Sequence, residues 1–443
     1  MQFSISELVE ATGGRTLGES SVIDGLAIDS RLVHRGQLFV ALQGDRDGHD
    51  FVASALNAGA GAALVERVED SFADGPLIVV ENVSVAVEQL GRLARSRLGD
   101  QVIGVTGSLG KTTTKDLLAS VLSQRFVTAA SEKSFNNEIG VPITLMGAPD
   151  DTEVAVIEMG ARGAGHIAYL CSIAAPTIGV VTTVEAVHTE VMGGVDAIAR
   201  VKGELIEALP ATGLAVLNSD VGVVADLAKR TDAKVITFGR TGDIRARDVS
   251  LDDDLVPSFV MVSPWGEVSV RLGVRGAHNV MNALAAGAVG LALGVSLDEL
   301  AHGLQSSANS PWRMDLIRLE SEARLLNDCY NASPASTTAA LRALGSMDVG
   351  ATGRRFAVLG VMAELGDRTE VEHRNVAAVA NDIGVEVLAV GTDLYGFESV
   401  DDVDAALDVI KGWGLRNNDA LLVKGSRVAG LEKIAEALQS ADK

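Results

Sequence analysis

Short apolar runs recur along the chain and alternate with segments of helical periodicity. In the middle of the sequence the runs are Val154-Ala-Val-Ile-Glu-Met159, Thr177-Ile-Gly-Val-Val-Thr182, Leu214-Ala-Val-Leu-Asn218 and Lys234-Val-Ile-Thr-Phe238. Continuous apolar runs of this length, spaced by helices, predict a mostly parallel sheet covered on both faces. Between 244 and 275 the pattern changes to alternation, as in Phe259-Val-Met-Val and Val268-Ser-Val-Arg-Leu, which predicts antiparallel strands in a small insertion or sheet extension. The small polar stretch Ser306-Ser-Ala-Asn-Ser-Pro311 reads as a linker. Beyond it the strand/helix rhythm resumes with Ala323-Arg-Leu-Leu-Asn-Asp328, Arg355-Phe-Ala-Val-Leu-Gly360, Val385-Glu-Val-Leu-Ala-Val390 and Asp419-Ala-Leu-Leu-Val-Lys424. Ahead of the middle region, Gln37-Leu-Phe-Val-Ala-Leu42, Ala62-Ala-Leu-Val-Glu66 and Leu77-Ile-Val-Val-Glu81 read as strands, and Phe51 to Gly59 as a helix. The expected organisation is α/β in three domains, residues 1–98, 99–309 and 310–443.

One stretch carries chemistry on its face. Val102-Ile-Gly-Val-Thr-Gly-Ser-Leu-Gly-Lys-Thr-Thr-Thr-Lys-Asp116 is a buried strand, a glycine turn and a helix start, the layout of a phosphate-binding loop. Gly107 and Gly110 let the backbone curl so that N–H groups, including that of Ser108, point at phosphate oxygens. Lys111 supplies a point charge, and Thr112, followed by Thr113, a hydroxyl for Mg²⁺. The longer form of this motif begins with a glycine where this chain has Val105, so the loop is the shortened Gly-x-x-Gly-Lys-Thr form.

Composition removes other classes of function. The chain has 443 residues, 47% of them hydrophobic, enough for several cores. Its net charge of −22 argues against nucleic-acid binding. The longest apolar run, Ala283 to Val295, contains glycines and is too short to span a bilayer, so it reads as a buried helix. Two cysteines form no disulfide framework, and the first residues lack the basic and apolar regions of a secretion signal. The expected location is the cytoplasm.

Further candidates lie at predicted strand ends, where parallel sheets bind ligands. Glu158 closes a strand downstream of the phosphate loop and suits Mg²⁺ coordination, or else caps the next helix. His188 follows another strand on the same edge. Asn136 and Asn137, in Ser134-Phe-Asn-Asn-Glu-Ile-Gly-Val-Pro142, suit either a turn or a ligand contact. Asn279 and Asn282 share one helix face at i, i+3 spacing and are either caps or ligand contacts. Asp328-Cys-Tyr-Asn-Ala-Ser-Pro334, with Asn331 inside it, and Val423-Lys-Gly-Ser-Arg427 are loops on the ligand-facing edge of the last sheet. Lys202 would by periodicity alone be a surface helix lysine.

Taken together, Gly107-Ser-Leu-Gly-Lys-Thr-Thr-Thr-Lys, Ser134-Phe-Asn-Asn, Glu158-Met-Gly, His188, Val201-Lys-Gly-Glu, Gly276-Ala-His-Asn-Val-Met-Asn and Asp328-Cys-Tyr-Asn-Ala-Ser-Pro resemble the Mur ligases. These are ATP-dependent amide-forming enzymes of bacterial peptidoglycan synthesis. The resemblance implies a small mixed α/β domain, a central P-loop ATPase-like domain and a Rossmann-like C-terminal domain that closes on ATP. It implies ATP and Mg²⁺, with Lys111 on the phosphates, Thr112 and Glu158 on the metal, and His188 at a second magnesium. Lys202 matches a lysine that is carbamylated in many members. Asn279, with Asn282 beside it, would face adenine, and Arg313 and Asp328 would reach the nucleotide from the third domain. Ser30 and Arg31 match a uridine pocket, and Asn136 and Asn137 would face the UDP-sugar peptide. Asp29-Ser-Arg31, Asp47-Gly-His-Asp-Phe51 and Val358-Leu-Gly-Val-Met-Ala-Glu-Leu-Gly366 point within the family to a UDP-N-acetylmuramoyl-tripeptide and D-Ala-D-Ala as substrates, used by a monomer. Ser333 stands where the family's Tyr-Asn-Ala-Asn-Pro pattern more often has Asn.

Overall fold

A computed structural model describes residues 1–18, 22–132, 134–185, 194–308 and 310–440. His188 lies outside the described residues. The centre is a six-stranded parallel sheet in the order Lys234–Phe238, Leu214–Asn218, Ile178–Val181, Gln101–Thr106, Val154–Glu158, Thr128–Ala130. All five residues of Val154–Glu158 are buried, as a strand covered on both faces requires. Register decides what meets at the carboxyl edge. Glu158 pairs with Val105 and Val181 with Thr106, so the glycine loop, Glu158 and Thr182 leave the sheet side by side.

One face of this sheet packs Leu117, Leu118 and Val121 of helix Lys111–Leu122 and Leu284 of helix Asn279–Ala292 against Ile103 and Val105. The opposite face packs helices Gly140–Met146, His166–Ala174 and Val195–Glu207. That second core does not stop at the sheet. It continues through Val87 and Leu90 of helix Val83–Arg97 to Leu38 and Ile78 in the first unit. A Cβ at Gly91 would lie 2.9 Å from Pro142 Cβ, so only glycine lets these helices approach so closely.

The first unit holds a five-stranded sheet in the order Arg15–Leu17, Leu77–Val79, Ala62–Val65, Leu38–Val40, Leu26–Ala27, with only the first pair antiparallel. Its opening helix, Ile5–Thr12, starts with a capping box between Ser4 and Glu7. Residues Arg245–Leu251, Pro257–Ser263 and Gly266–Arg271 form the expected antiparallel sheet. The last unit has a six-stranded sheet in the order Asp315–Arg318, Arg324–Asn327, Ala420–Lys424, Arg355–Gly360, Glu386–Val390, Glu398–Val400, with one antiparallel edge strand. Among the described residues, no helix is long and apolar enough to cross a membrane.

Candidate functional site

The carboxyl edge of the central sheet faces the third unit across a cavity of about 680 Å³. The glycine loop forms its floor. Gly110 has φ 80° and immediately precedes helix Lys111–Leu122. A Cβ at Gly107, itself at φ 150°, would sit 1.9 Å from Thr182 Oγ1. Side chains at either position would block the turn, which is why both are glycine. The Lys111 ammonium donates to Gly107 O at 2.8 Å, folded back over its own loop. Burial pushes its pKa down, partly offset by the Glu158 carboxylate.

Thr112 Oγ1 lies 3.4 Å from Ser134 Oγ and accepts a hydrogen bond from Arg313 Nη2 at 3.1 Å. This contact joins the phosphate loop to the third unit. Arg313 also lies over the Tyr330 ring, 4.0 Å from its centroid. Its chain neighbours Trp312 and Met314 both hold left-handed backbone, at φ 63° and 55°. Nearby, Ser310 Oγ donates to Asp116 Oδ2 at 2.5 Å.

Glu158 is 1% exposed and accepts from Asn136 Nδ2 at 2.8 Å through one oxygen. Its other oxygen, Oε2, is buried with no partner among the described residues. A buried acceptor without a donor is costly unless a cation occupies the position. Lys202 is 3% exposed, against its expectation as a surface residue from periodicity. Burial, reinforced by the Lys111 charge, lowers its pKa to about 7. Asn137 Oδ1 accepts from Gly140 N at 2.8 Å and so caps helix Gly140–Met146, although the residue also lines the cavity. Asn279 and Asn282 bond to each other at 2.7 Å, and Asn279 donates to Arg275 O. The third-unit wall carries Asp328, whose Oδ2 accepts from Lys424 Nζ at 2.6 Å, and exposed Asn331.

Residues 105–290 match the model of the Mur ligase middle domain, 312–427 that of the Mur ligase glutamate ligase domain, and 22–97 that of the Mur ligase family catalytic domain. The chain is also 35% identical to the UDP-N-acetylmuramoyl-tripeptide–D-alanyl-D-alanine ligase of Mycobacterium bovis, over 100% of this chain and 98% of that one. The chain belongs to the Mur ligase family. Among solved structures, the UDP-N-acetylmuramoylalanyl-D-glutamyl-2,6-diaminopimelate–D-alanyl-D-alanyl ligase from Acinetobacter baumannii is 30% identical, with TM-score 0.86 over 99% of both chains. The MurF ligase of Thermotoga maritima, solved in complex with ADP, is 28% identical with TM-score 0.78 over 94% of this chain and 97% of that one.

In this Mur ligase the cavity gathers Gly107, Ser108, Gly110, Lys111, Thr112, Thr113, Asn136, Asn137, Glu158, Lys202, Asn279, Asn282, Arg313, Asp328 and Asn331. Ser30 and Arg31 are not part of it. Arg31 is exposed in the first unit and pairs with Asp29 at 2.6 Å. Sequence reasoning left three contributors unassigned. Lys424 is 2% exposed and holds both Asp328 and the Asn331 carbonyl, the latter at 2.9 Å. Its signal is its place in Val423-Lys-Gly-Ser-Arg427, a loop on the ligand-facing sheet edge to which the sequence assigns no role residue by residue. Tyr330 and Ser134 lie inside quoted motifs, and their contacts with Arg313 and Thr112 appear only in the structure. Ser333 caps helix Pro334–Ser346 by accepting from Ser336 N, a role that the short hydroxyl fills well.

Proposed function

We infer that this chain joins D-alanyl-D-alanine to the terminal carboxylate of a UDP-N-acetylmuramoyl-tripeptide, cleaving ATP to ADP and phosphate, in the making of peptidoglycan precursors. The observation that carries the reading is the single cavity in which a phosphate loop, a buried orphan carboxylate oxygen and polar groups of a separate unit converge. The full-length likeness to ligases named for these substrates supports it.

Lys111 and the loop N–H groups hold the β- and γ-phosphates, and Arg313 brings a second positive charge from the third unit. Magnesium fits the donor set of Thr112 Oγ1 and Glu158, whose Oε2 lacks a partner among the described residues. When bound, it neutralises phosphate charge and polarises the γ-phosphoryl group. The peptide carboxylate attacks the γ-phosphorus and ADP leaves, giving an acyl phosphate. The dipeptide amine then attacks the acyl carbon, loses a proton, and phosphate departs. Asn136 and Asn137 border the peptide, Ser30 and Arg31 the uridine, Asn279 and Asn282 the adenine side. Asp328 and Asn331 face the nucleotide and acceptor from the third unit. His188 is assigned to a second magnesium. Residues 1–98 hold the UDP-sugar, 99–309 ATP, and 310–443 the dipeptide, in a monomer working in the cytoplasm.

Lys202 is suited to carbamylation. Its lowered pKa leaves much of the amine neutral near pH 7, able to add CO₂ and release a proton, which replaces a buried cation by an anion beside the metal site. Phosphate release from purified protein should require both the UDP-tripeptide and D-Ala-D-Ala, and release with either alone would overturn the reading. Activity should rise with added bicarbonate and fall as pH drops below 7, where the ammonium dominates. The neutral amine declines about tenfold per unit there. Lys202→Ala should be inactive and recover in part with short carboxylic acids, and wild-type activity in that variant would sink the carbamate assignment.

A further inference from the structure

Two loops leave neighbouring strand ends and run together across the rim of the cavity. At the inner end, Asn136 Nδ2 donates to Glu158 Oε1 at 2.8 Å, and Gly160 N donates to Asn136 O at 2.8 Å. A Cβ at Gly160 would lie 2.8 Å from Asn136 Oδ1, so glycine keeps the loops this close. Two residues further out the pairing turns ionic. Glu138 faces Arg162 at 3.6 Å and His166 at 3.2 Å. The Arg162 side chain is 74% exposed, and both Arg162 and His166 line the cavity. His166 opens helix His166–Ala174, and its ring is held between the Arg162 N–H, which donates to Nδ1 at 3.1 Å, and the Glu138 carboxylate, while the exposed guanidinium has room to reach a ligand.

The inner end of this pairing is the place of phosphoryl transfer, because Glu158 is there. The attacking carboxylate belongs to the third residue of the tripeptide. In the ligase reading that residue sits near Asn136, and the paired loops offer its side chain an outward course toward Glu138 and Arg162. What it meets is a cation and an anion together. A lysine side chain would bring one ammonium to this pair and leave the guanidinium with nothing new. A 2,6-diaminopimelate side chain ends in an ammonium and a carboxylate on one carbon, and so matches both.

We propose that Arg162 and Glu138 form a zwitterion-reading subsite, with Arg162 binding the distal carboxylate and Glu138 the distal ammonium of a 2,6-diaminopimelate third residue. The inference rests on the ligase reading above and adds specificity to it. Arg162 and Glu138 are specificity-determining residues and touch no reacting atom.

The test is ligation kinetics with two UDP-tripeptides, one ending in 2,6-diaminopimelate and one in L-lysine. The wild type should prefer the diaminopimelate substrate in kcat/KM by roughly ten- to a hundredfold, the scale of one charge-assisted bond. Arg162→Ala should collapse that ratio toward one, chiefly through KM for the diaminopimelate substrate. Glu138→Gln should lower the same KM effect in part. Equal use of both substrates by the wild type would overturn the proposal. So would equal losses on both in Arg162→Ala, because the guanidinium would then be reading the D-glutamyl carboxylate common to the two. Ligation of neither substrate would instead overturn the ligase reading itself. Because Arg162 is exposed, the folded state should survive its truncation, and an unchanged melting temperature checks this.

Discussion

The central unit meets its two neighbours in opposite ways. Toward the first unit it shares one unbroken apolar core, from Leu205 and Ile157 through Leu90 to Leu38. Toward the third unit the contacts are polar and sparse in apolar atoms. Arg313 reaches Thr112, Ser310 reaches Asp116, and Arg324 Nη1 reaches Asp253 O at 3.3 Å. Among the described residues, Leu255, with partly buried Leu251 packed beside it, brings the central unit into a core of the third. A shared core fixes two bodies as one, since separating them exposes apolar area at about 25 cal/mol per Å². A polar seam around a cavity can open with its groups rehydrated at little cost. The comparison teaches that the first and central units are built as one platform, which leaves the third unit as the part able to move in the proposed closure on ATP.

This contrast predicts that changes on the shared core alter stability and changes at the seam alter turnover. The largest effect should come from Lys111→Ala, which should cut ATP-dependent ligation roughly a thousandfold with the melting temperature unchanged. A parallel loss of stability would show that the loop also holds the fold. Next, Leu90→Ala should destabilise by about 2–5 kcal/mol and should melt the first and central units in one step. Two separate calorimetric transitions for those units would break the comparison. Arg313→Ala removes the proposed third-unit charge on the phosphates, and should slow kcat by roughly ten- to a hundredfold without shifting the melting temperature. The smallest effect should be that of Ser310→Ala. Losing its bond to Asp116 should change the open–closed balance by about 1 kcal/mol, read by small-angle scattering with and without nucleotide. An identical scattering profile for this variant and the wild type in both conditions would show that the seam does not set that balance.

Much of this was legible in the sequence, for physical reasons. Strands buried on both faces write themselves as apolar runs, so Val154–Glu158, Leu214–Asn218 and Arg355–Gly360 fall where the pattern puts them. Helix Val83–Arg97 was not read, because its buried Val83, Val87, Leu90 and Ala94 alternate with serines and arginines that dilute the apolar face. Strand Glu398–Val400 is a short edge whose single apolar residue, Val400, makes no run to read. In the site, Lys111 announces itself by the glycine loop before it and Glu158 by its position at a strand end. The burial of Lys202 could not be read, because helical periodicity does not say which face a cavity will cover. Arg162 and Glu138 meet only because two loops far apart in sequence leave adjacent strands.

The left-handed conformations of Trp312 and Met314 bear on reproducibility of aim. Residues with side chains have little room in that region of backbone space, so each confines the chain on its own side of Arg313. A glycine at either place would relax the linker and also let the guanidinium return along many directions. With two stiff neighbours, Arg313 has few ways back, so in the proposed closure each return of the third unit would deliver it to the same hydroxyl.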